Sequence, residues 1–226
     1  MEILGYKDKH EYTNKHGISS VVYLMDCMDL LKQIPEKYFE LAIVDPPYGI
    51  GANKMTLGNG RKKINRGQSN WDSNIPNKEY FALLKNATTN QIIWGGNYMT
   101  EYLNPSRCWI LWDKGTGDND YADGELAWTS FDRVLKIFRK SWVGANAKND
   151  TDRIHPTEKP VVLYEWLIKN YAKEGNKILD THLGSGSSRI AADKANLLFV
   201  GCELDEDYFY ASVKRFNEYS QQQTMF

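Results

Sequence analysis

Short apolar runs alternate with runs of helical spacing along most of this 226-residue chain, and few architectures accept that pattern. Ser20–Met25 reads as a strand and Cys27–Gln33 as a helix; Leu41–Asp45 reads as a second strand. A helix over Glu79–Asn86 precedes a strand over Gln91–Gly95, and two runs that can pair, Cys108–Asp113 and Glu125–Ser130, follow closely. Val161–Lys173 sets Leu163, Trp166, Leu167 and Tyr171 on one helical face. Lys177–Thr181 and Phe199–Glu203 flank a helix over Ser187–Asn196. Strands alternating with helices predict parallel βαβ units and a doubly wound α/β sheet, within one domain spanning 1–226. Such sheets bind ligands beyond the carboxyl ends of their strands. Asp26, Asp45, Asp180 and Glu203 each stand at or just past such an end.

Bulk properties narrow the class without choosing a function. Hydrophobic content of 42% and charged content of 25% suit a folded globular chain. The polar start MEILGYKDKH does not read as a signal peptide, and apolar runs such as Leu197–Val200 are too short to cross a membrane. A soluble cytoplasmic protein is expected, with Cys27, Cys108 and Cys202 as free thiols and no metal site. Net charge is −1, so no global field favours a polyanion. Locally, Lys54, Arg61, Lys62, Lys63 and Arg66 crowd a segment with no acidic residue, and Arg133, Lys136, Arg139 and Lys140 form a second cluster. Either cluster suits a solvated face or a phosphate backbone. The segment around 50–74 lacks hydrophobic periodicity and is expected to be a mobile basic loop.

Three stretches carry chemistry. Asp180-Thr181-His182-Leu183-Gly184-Ser185-Gly186-Ser187 leaves a strand and opens a helix, so its glycines permit a tight turn and its amides favour a polar or anionic group. Glu203, ending the next strand, suits the two hydroxyls of a ribose. Position 189 is Arg rather than the third glycine of a dinucleotide fingerprint, which weakens a nicotinamide dehydrogenase reading. Val44-Asp45-Pro46-Pro47-Tyr48-Gly49 is a stiff strand end, since two prolines fix two φ angles. It either merely ends the strand or clamps an exocyclic amine with the Asp45 carboxylate and the Pro46 carbonyl, beside the Tyr48 ring. His155-Pro156-Thr157-Glu158-Lys159-Pro160 starts a helix and offers a hydroxyl and a cation.

DPPY, then HPTEKP, then a G-x-G loop after a strand, in that order, resembles the S-adenosylmethionine-dependent DNA amino-methyltransferases of the β-class. Trp94-Gly95-Gly96-Asn97 and Trp112-Asp113-Lys114 also resemble stretches of small phage and bacterial members. The resemblance implies a circularly permuted, Rossmann-like methyltransferase fold with a mostly parallel seven-stranded sheet. It implies Asp45, Pro46, Pro47 and Tyr48 as the catalytic motif. It places Asp26, Asp45, Thr157, Lys159, Asp180, Gly184, Ser185, Gly186, Ser187 and Glu203 at the cofactor. Double-stranded DNA is the implied partner, with a second copy of the chain and a cognate restriction enzyme as further candidates and no membrane. Asp at the first position of the motif resembles the adenine-N6 enzymes, whereas Ser resembles the cytosine-N4 ones. Cytosine N4, RNA or a protein amide stay open as acceptors, as does a DNA-binding homologue without turnover. Thr181 and His182 replace the usual Pro and Phe, and the target-recognition region, about 131–154, is short.

Overall fold

The computed structural model describes residues 1–51, 72–116, 122–141, 154 and 158–223. Nine strands join in one sheet: β1 (Asp8–Thr13), β2 (Ser19–Leu24), β3 (Phe39–Val44), β4 (Thr88–Trp94), β5 (Trp109–Asp113), β6 (Gly124–Thr129), β7 (Lys136–Arg139), β8 (Lys177–Asp180) and β9 (Leu198–Glu203). Their spatial order is β1-β2-β9-β8-β3-β4-β6-β5-β7. From β2 to β4 all neighbours are parallel, and β6 runs antiparallel to both β4 and β5. These seven make the doubly wound sheet that the alternation requires. The hairpin strand β1 extends one edge and β7, parallel to β5, extends the other.

The helices α1 (Cys27–Leu31), α2 (Lys78–Ala87), α3 (Val161–Tyr171), α4 (Ser187–Lys194) and α5 (Glu206–Gln223) divide between the two faces. Side-chain alternation along the strands decides which residues meet them. Val22, Leu24, Leu41 and Ile43 pack with Leu163 and Leu167 of α3, Ala191 of α4 and Phe209 of α5. Their neighbours Tyr23, Ala42 and Val44 point the other way, against Leu30 of α1 and Tyr80, Phe81 and Leu84 of α2. Strand order reverses between β8 and β3: the chain crosses from β8 outward to β9, and from β3 the other way to β4. The ligand crevice of a doubly wound sheet opens there.

Arg189 explains why the third fingerprint glycine is missing. The residue is buried on α4, and its guanidinium donates from Nε to Ser20 Oγ at 3.0 Å and from Nη2 to the Ser20 carbonyl at 3.3 Å. Its carbon lies 3.9 Å from the centre of the Phe216 ring on α5. Burial drops its pKa to about 9. The side chain joins α4, β2 and α5 on the far side of the glycine loop, so this position builds the layer rather than approaching a phosphate. Arg189→Ala empties that volume and leaves Ser20 unpaired, an expected loss of about 3 kcal/mol. Arg189→Met keeps the stem and removes a desolvated charge, an expected loss below about 1 kcal/mol. Urea unfolding of both variants checks this, and equal losses would refute a packing role.

Candidate active site

β3 ends at Val44, and Asp45, Pro46, Pro47 and Tyr48 follow it into a cavity of ≈ 730 Å³ at the carboxyl edge of the sheet. Volumes of this order hold small-molecule ligands and cofactors. The loop is fixed at its far end by Asp72, whose Oδ1 accepts from the Tyr48 and Gly49 amides at 2.7 and 3.0 Å. Gly95, at φ +66°, lies so close to Tyr48 that a Cβ there would overlap the ring. Tyr48 is therefore held by its backbone, its edge and its hydroxyl, which donates to Asp45 Oδ1 at 2.7 Å.

Four charges meet around that hydroxyl. Lys159, buried to 3% exposure, pairs with Asp45 Oδ2 and lies 3.0 Å from Glu125 Oε2 and 3.1 Å from the Tyr48 oxygen. Lys114 pairs with Glu125 Oε1 at 2.6 Å. Two acids thus share two ammonium groups, but unequally. Burial alone would raise the Glu125 carboxyl; Lys159 and Lys114 outweigh it and hold the group at about 2. Asp45 has Lys159 alone, and burial, together with the negative charge of Glu125, keeps its pKa above the ordinary carboxylate value. Lys159 stays charged, because the two carboxylates overcome its desolvation. The arrangement leaves Asp45 the more basic of the two acids.

The wall opposite is the glycine loop after β8. Gly184 and Ser185 line the cavity, and Glu203 Oε2 accepts from the Gly184 amide at 2.8 Å. Glu203 Oε1 accepts from the Leu204 and Asp205 amides, so three backbone donors orient this carboxylate. Asp26 caps α1 by accepting from the Met28 amide at 2.7 Å and borders the same cavity. Asp180 lies beneath the loop, fully enclosed, accepting from the His182 amide at 3.0 Å and the Ser188 hydroxyl at 2.5 Å. Gly186 and Ser187 are likewise under the loop rather than on the cavity wall, and Arg215 of α5 clamps them. It donates to the Ser185 carbonyl and the Ser187 hydroxyl and pairs with Glu158 at 3.1 Å, beside Lys159.

Thr181 and His182 fit where Pro and Phe were expected. Tyr80 on α2 lies 2.7 Å from the Thr181 hydroxyl, which lies 2.9 Å from His182 Nδ1. Donation from Tyr80 to Thr181 and from Thr181 to Nδ1 satisfies all three while the ring is neutral, and burial holds His182 neutral by pushing its pKa down to about 4.

The cavity thus gathers Asp26, Asp45, Pro46, Pro47, Tyr48, Lys159, Gly184, Ser185 and Glu203 from the residues expected at a site. Thr157, Lys54, Arg61, Lys62, Lys63 and Arg66 lie outside the described residues. The second basic cluster does not form one patch. β7 runs parallel to β5, so Arg139 and Lys140 reach the cavity edge of the sheet, Arg139 3.3 Å from Asp113. Arg133 sits at the opposite edge, donating to the Asn170 carbonyl and packed over Phe131 and Tyr171. Lys136 begins β7 nearer that end. Sequence reading missed Glu125, Asp72 and Tyr98. Glu125 was findable in principle: if β6 runs antiparallel, its beginning rather than its end faces the crevice.

A model of the DNA methylase family, of the N6/N4 kind, matches residues 85–214. The chain belongs to that family. Its reaction moves a methyl group from S-adenosylmethionine to an exocyclic amine of DNA. This DNA methylase is 25% identical over 242 aligned positions to the type II methyltransferase M2.MboI of Moraxella bovis, with 87% of each chain covered. It is 26% identical to the type II methyltransferase M.HpaI of Haemophilus parainfluenzae, over 82% of this chain and 70% of that one. Among solved structures, the PvuII DNA methyltransferase (cytosine-N4-specific) superposes with a TM-score of 0.62 at 14% identity, covering 94% of this chain and 90% of that one. The M1.HpyAVI–SAM complex superposes at 0.56 and 19% identity, covering 87% and 98%. The methylase fold is thereby established. No helix among the described residues is long and apolar enough to cross a membrane.

The buried Asp180 of this methylase makes stability depend on pH. Burial lifts its carboxyl from 3.8 to about 7, so the folded chain holds that proton more tightly than the unfolded chain. The stabilisation is complete below the unfolded pKa and is lost as pH rises through 7. His182, depressed from 6.5 to about 4, works oppositely: its contribution is present above 6.5 and lost as pH falls through 4. Asp180→Asn removes only the first. Its melting temperature should gain on that of the unmodified chain as pH is raised from about 4 to 7. A difference independent of pH would contradict the raised pKa.

Proposed function

We propose that this methylase transfers the sulfonium methyl group of S-adenosylmethionine to the N6 amino group of an adenine flipped out of duplex DNA. The observation carrying this reading is the Asp45 carboxylate, bonded to Tyr48 and facing the Glu203–Gly184 wall across one cavity. Asp at this position matches the adenine-type motif. The cavity is of the right order for a nucleoside cofactor, with Glu203 for the ribose, Asp26 toward the adenine end, and Gly184 and Ser185 as the loop approaching it. When bound, the cofactor supplies an electrophilic methyl group.

The chain supplies orientation and charge. An amino nitrogen conjugated with a purine ring is a poor nucleophile because its lone pair is delocalised. Asp45 and the Pro46 carbonyl offer two acceptors for its two protons, favouring a pyramidal nitrogen with its lone pair aimed across the cavity. Both acceptors are fixed by the prolines and by Tyr48, so little reorganisation accompanies the charge that develops. The nitrogen becomes positive as its bond to the methyl carbon forms, and Asp45, the more basic acid of the cluster, takes the released proton directly or through solvent. Lys159 holds Asp45 in the resting state, and Glu125, 3.0 Å away, offers it a second partner when the amine arrives. A base in a stacked duplex cannot reach this depth, so flipping is required. Arg139 and Lys140, and the basic segment Lys54 to Arg66, would hold backbone phosphates.

Incubation with methyl-labelled cofactor and duplex DNA, followed by nucleoside mass spectrometry, should yield N6-methyladenine; N4-methylcytosine would redirect the reading to cytosine, and label only in RNA or protein would refute DNA as acceptor. Asp45→Asn should lose at least about 100-fold in turnover while calorimetry shows cofactor binding preserved. Because Asp45 must be ionised, turnover should fall on the acid side with a midpoint above the ordinary carboxylate range.

The split of the basic cluster makes a separate prediction. Replacing Arg139 and Lys140 together with Ala should weaken DNA binding and flatten its salt dependence by a log–log slope of about 1 to 2. Arg133→Ala should leave that slope unchanged. Fluorescence anisotropy across a salt series measures both, and equal effects would contradict the geometry.

A further inference from the structure

A tyrosine that no motif explains stands at the mouth of the cavity. Tyr98 ends a 3-10 turn (Gly96–Tyr98) that leaves β4 through Gly95. It is 46% exposed, yet its ring stacks on Tyr48 with centroids 5.3 Å apart and planes 18° from parallel. The two rings differ in how they are held. The Tyr48 hydroxyl is committed to Asp45, Glu125 and Lys159, and its edge abuts Gly95. Among the described residues the Tyr98 hydroxyl makes no hydrogen bond, and the ring is kept in place by the stack and by its own backbone amide, which donates to the Gly95 carbonyl at 2.9 Å. One ring is a fixed jaw and the other is free to turn.

We infer that Tyr98 is the second wall of the slot for the target base, and that the Tyr48–Tyr98 stack is that slot in its closed state. This rests on the flipped-base reading above. Aromatic planes stack about 3.4 Å apart, so a base between two rings needs roughly 7 Å between their centres. The resting separation of 5.3 Å leaves no room, and an outward swing of Tyr98 by about 2 Å makes it. Exposed side chains change rotamer in picoseconds to nanoseconds, so such an opening need not limit turnover. The exchange also favours extrusion of the base, because one ring–ring contact is replaced by two base–ring contacts. Stacking is tolerant of base identity, so Tyr98 is a positioning residue for the extruded base; choosing it falls to the groups around Asp45.

The test compares Tyr98→Phe, which keeps the face, with Tyr98→Leu, which keeps bulk and loses it. The substrate is a duplex carrying the site found by sequencing DNA modified by the unmodified enzyme. Tyr98→Phe should retain kcat/KM for DNA within about twofold, whereas Tyr98→Leu should lose about tenfold or more. Cofactor affinity by calorimetry should be equal in all three. With 2-aminopurine at the target position, the complex with Tyr98→Leu should fluoresce more brightly, since one quenching face is gone. Unchanged kcat/KM and fluorescence in Tyr98→Leu would overturn the inference. So would equal losses in both variants, or a loss of cofactor affinity, which would mark Tyr98 as a prop for the loop. Absence of methyl transfer to DNA by the unmodified enzyme would instead overturn the acceptor reading, and the inference with it.

Discussion

Everything at this site depends on the pairing of β3 with β8. Two registered pairs, Leu41 with Ile178 and Ala42 with Leu179, bring together strands that lie far apart along the chain. Beyond those pairs the strands turn loose side by side, β3 into Asp45-Pro46-Pro47-Tyr48 and β8 into the loop that leads to Gly184. The strand order reverses between them, so the helices that follow depart to opposite sides and leave a gap. A group that activates an amine and a loop that approaches a cofactor are thereby fixed across one crevice by backbone hydrogen bonds alone. A slip of one residue in this register would turn the Leu41–Val44 core face to the wrong layer, which is why burial on both faces enforces it.

The buried ionic cluster is costly by comparison, and its layout explains what it does. Charges taken out of water lose hydration that their mutual attraction only partly returns. A cluster meant for stability alone would pair its acids symmetrically. Here Glu125 has two ammonium partners and Asp45 has one, so the asymmetry sets a difference in basicity between two acids joined by the same lysine. Glu125 and Lys114 lie on the antiparallel part of the sheet and just past β5, whereas Asp45 and Lys159 come from the parallel part and the start of α3. The cluster therefore also ties the two halves of the sheet together at the edge where a substrate must enter.

Much of this was legible in the sequence because it rests on short-range pattern. Alternating apolar runs gave β2, β3, β4, β8 and β9, and the acids Asp26, Asp45 and Glu203 fell at strand ends where the crevice rule puts them. Two elements were hidden for physical reasons. β1 (DKHEYT) lies on an edge with one face in water and has no apolar alternation. α5 buries Phe209, Ser212, Phe216 and Ser220, a helical stripe in which half the members are small hydroxyls that no apolar count detects. The hidden parts of the site are those made by tertiary contact. Asp180 has the spacing of a cofactor residue but is enclosed below its loop. Arg133 to Lys140 reads as one basic patch, yet a strand carries its two ends to opposite edges of the sheet. Arg189 looks like a broken glycine motif and is a buried layer-builder.

The same contrast bears on how one small domain handles a polymer. The fixed parts, Asp45, Tyr48 and Glu203, are oriented by prolines, by backbone amides or by a glycine contact, none of which can relax when a ligand binds. The parts that face incoming DNA, Tyr98 and the ends of β5 and β7, are held by single contacts: one ring stack, one ion pair between Arg139 and Asp113. A base must displace something to enter, and it displaces the weakly held ring rather than the committed one. Rigidity is thus concentrated on the acceptors that must not move during transfer, and freedom on the wall that must, a division set at Gly95, where Tyr48 packs on the backbone and the turn bearing Tyr98 begins.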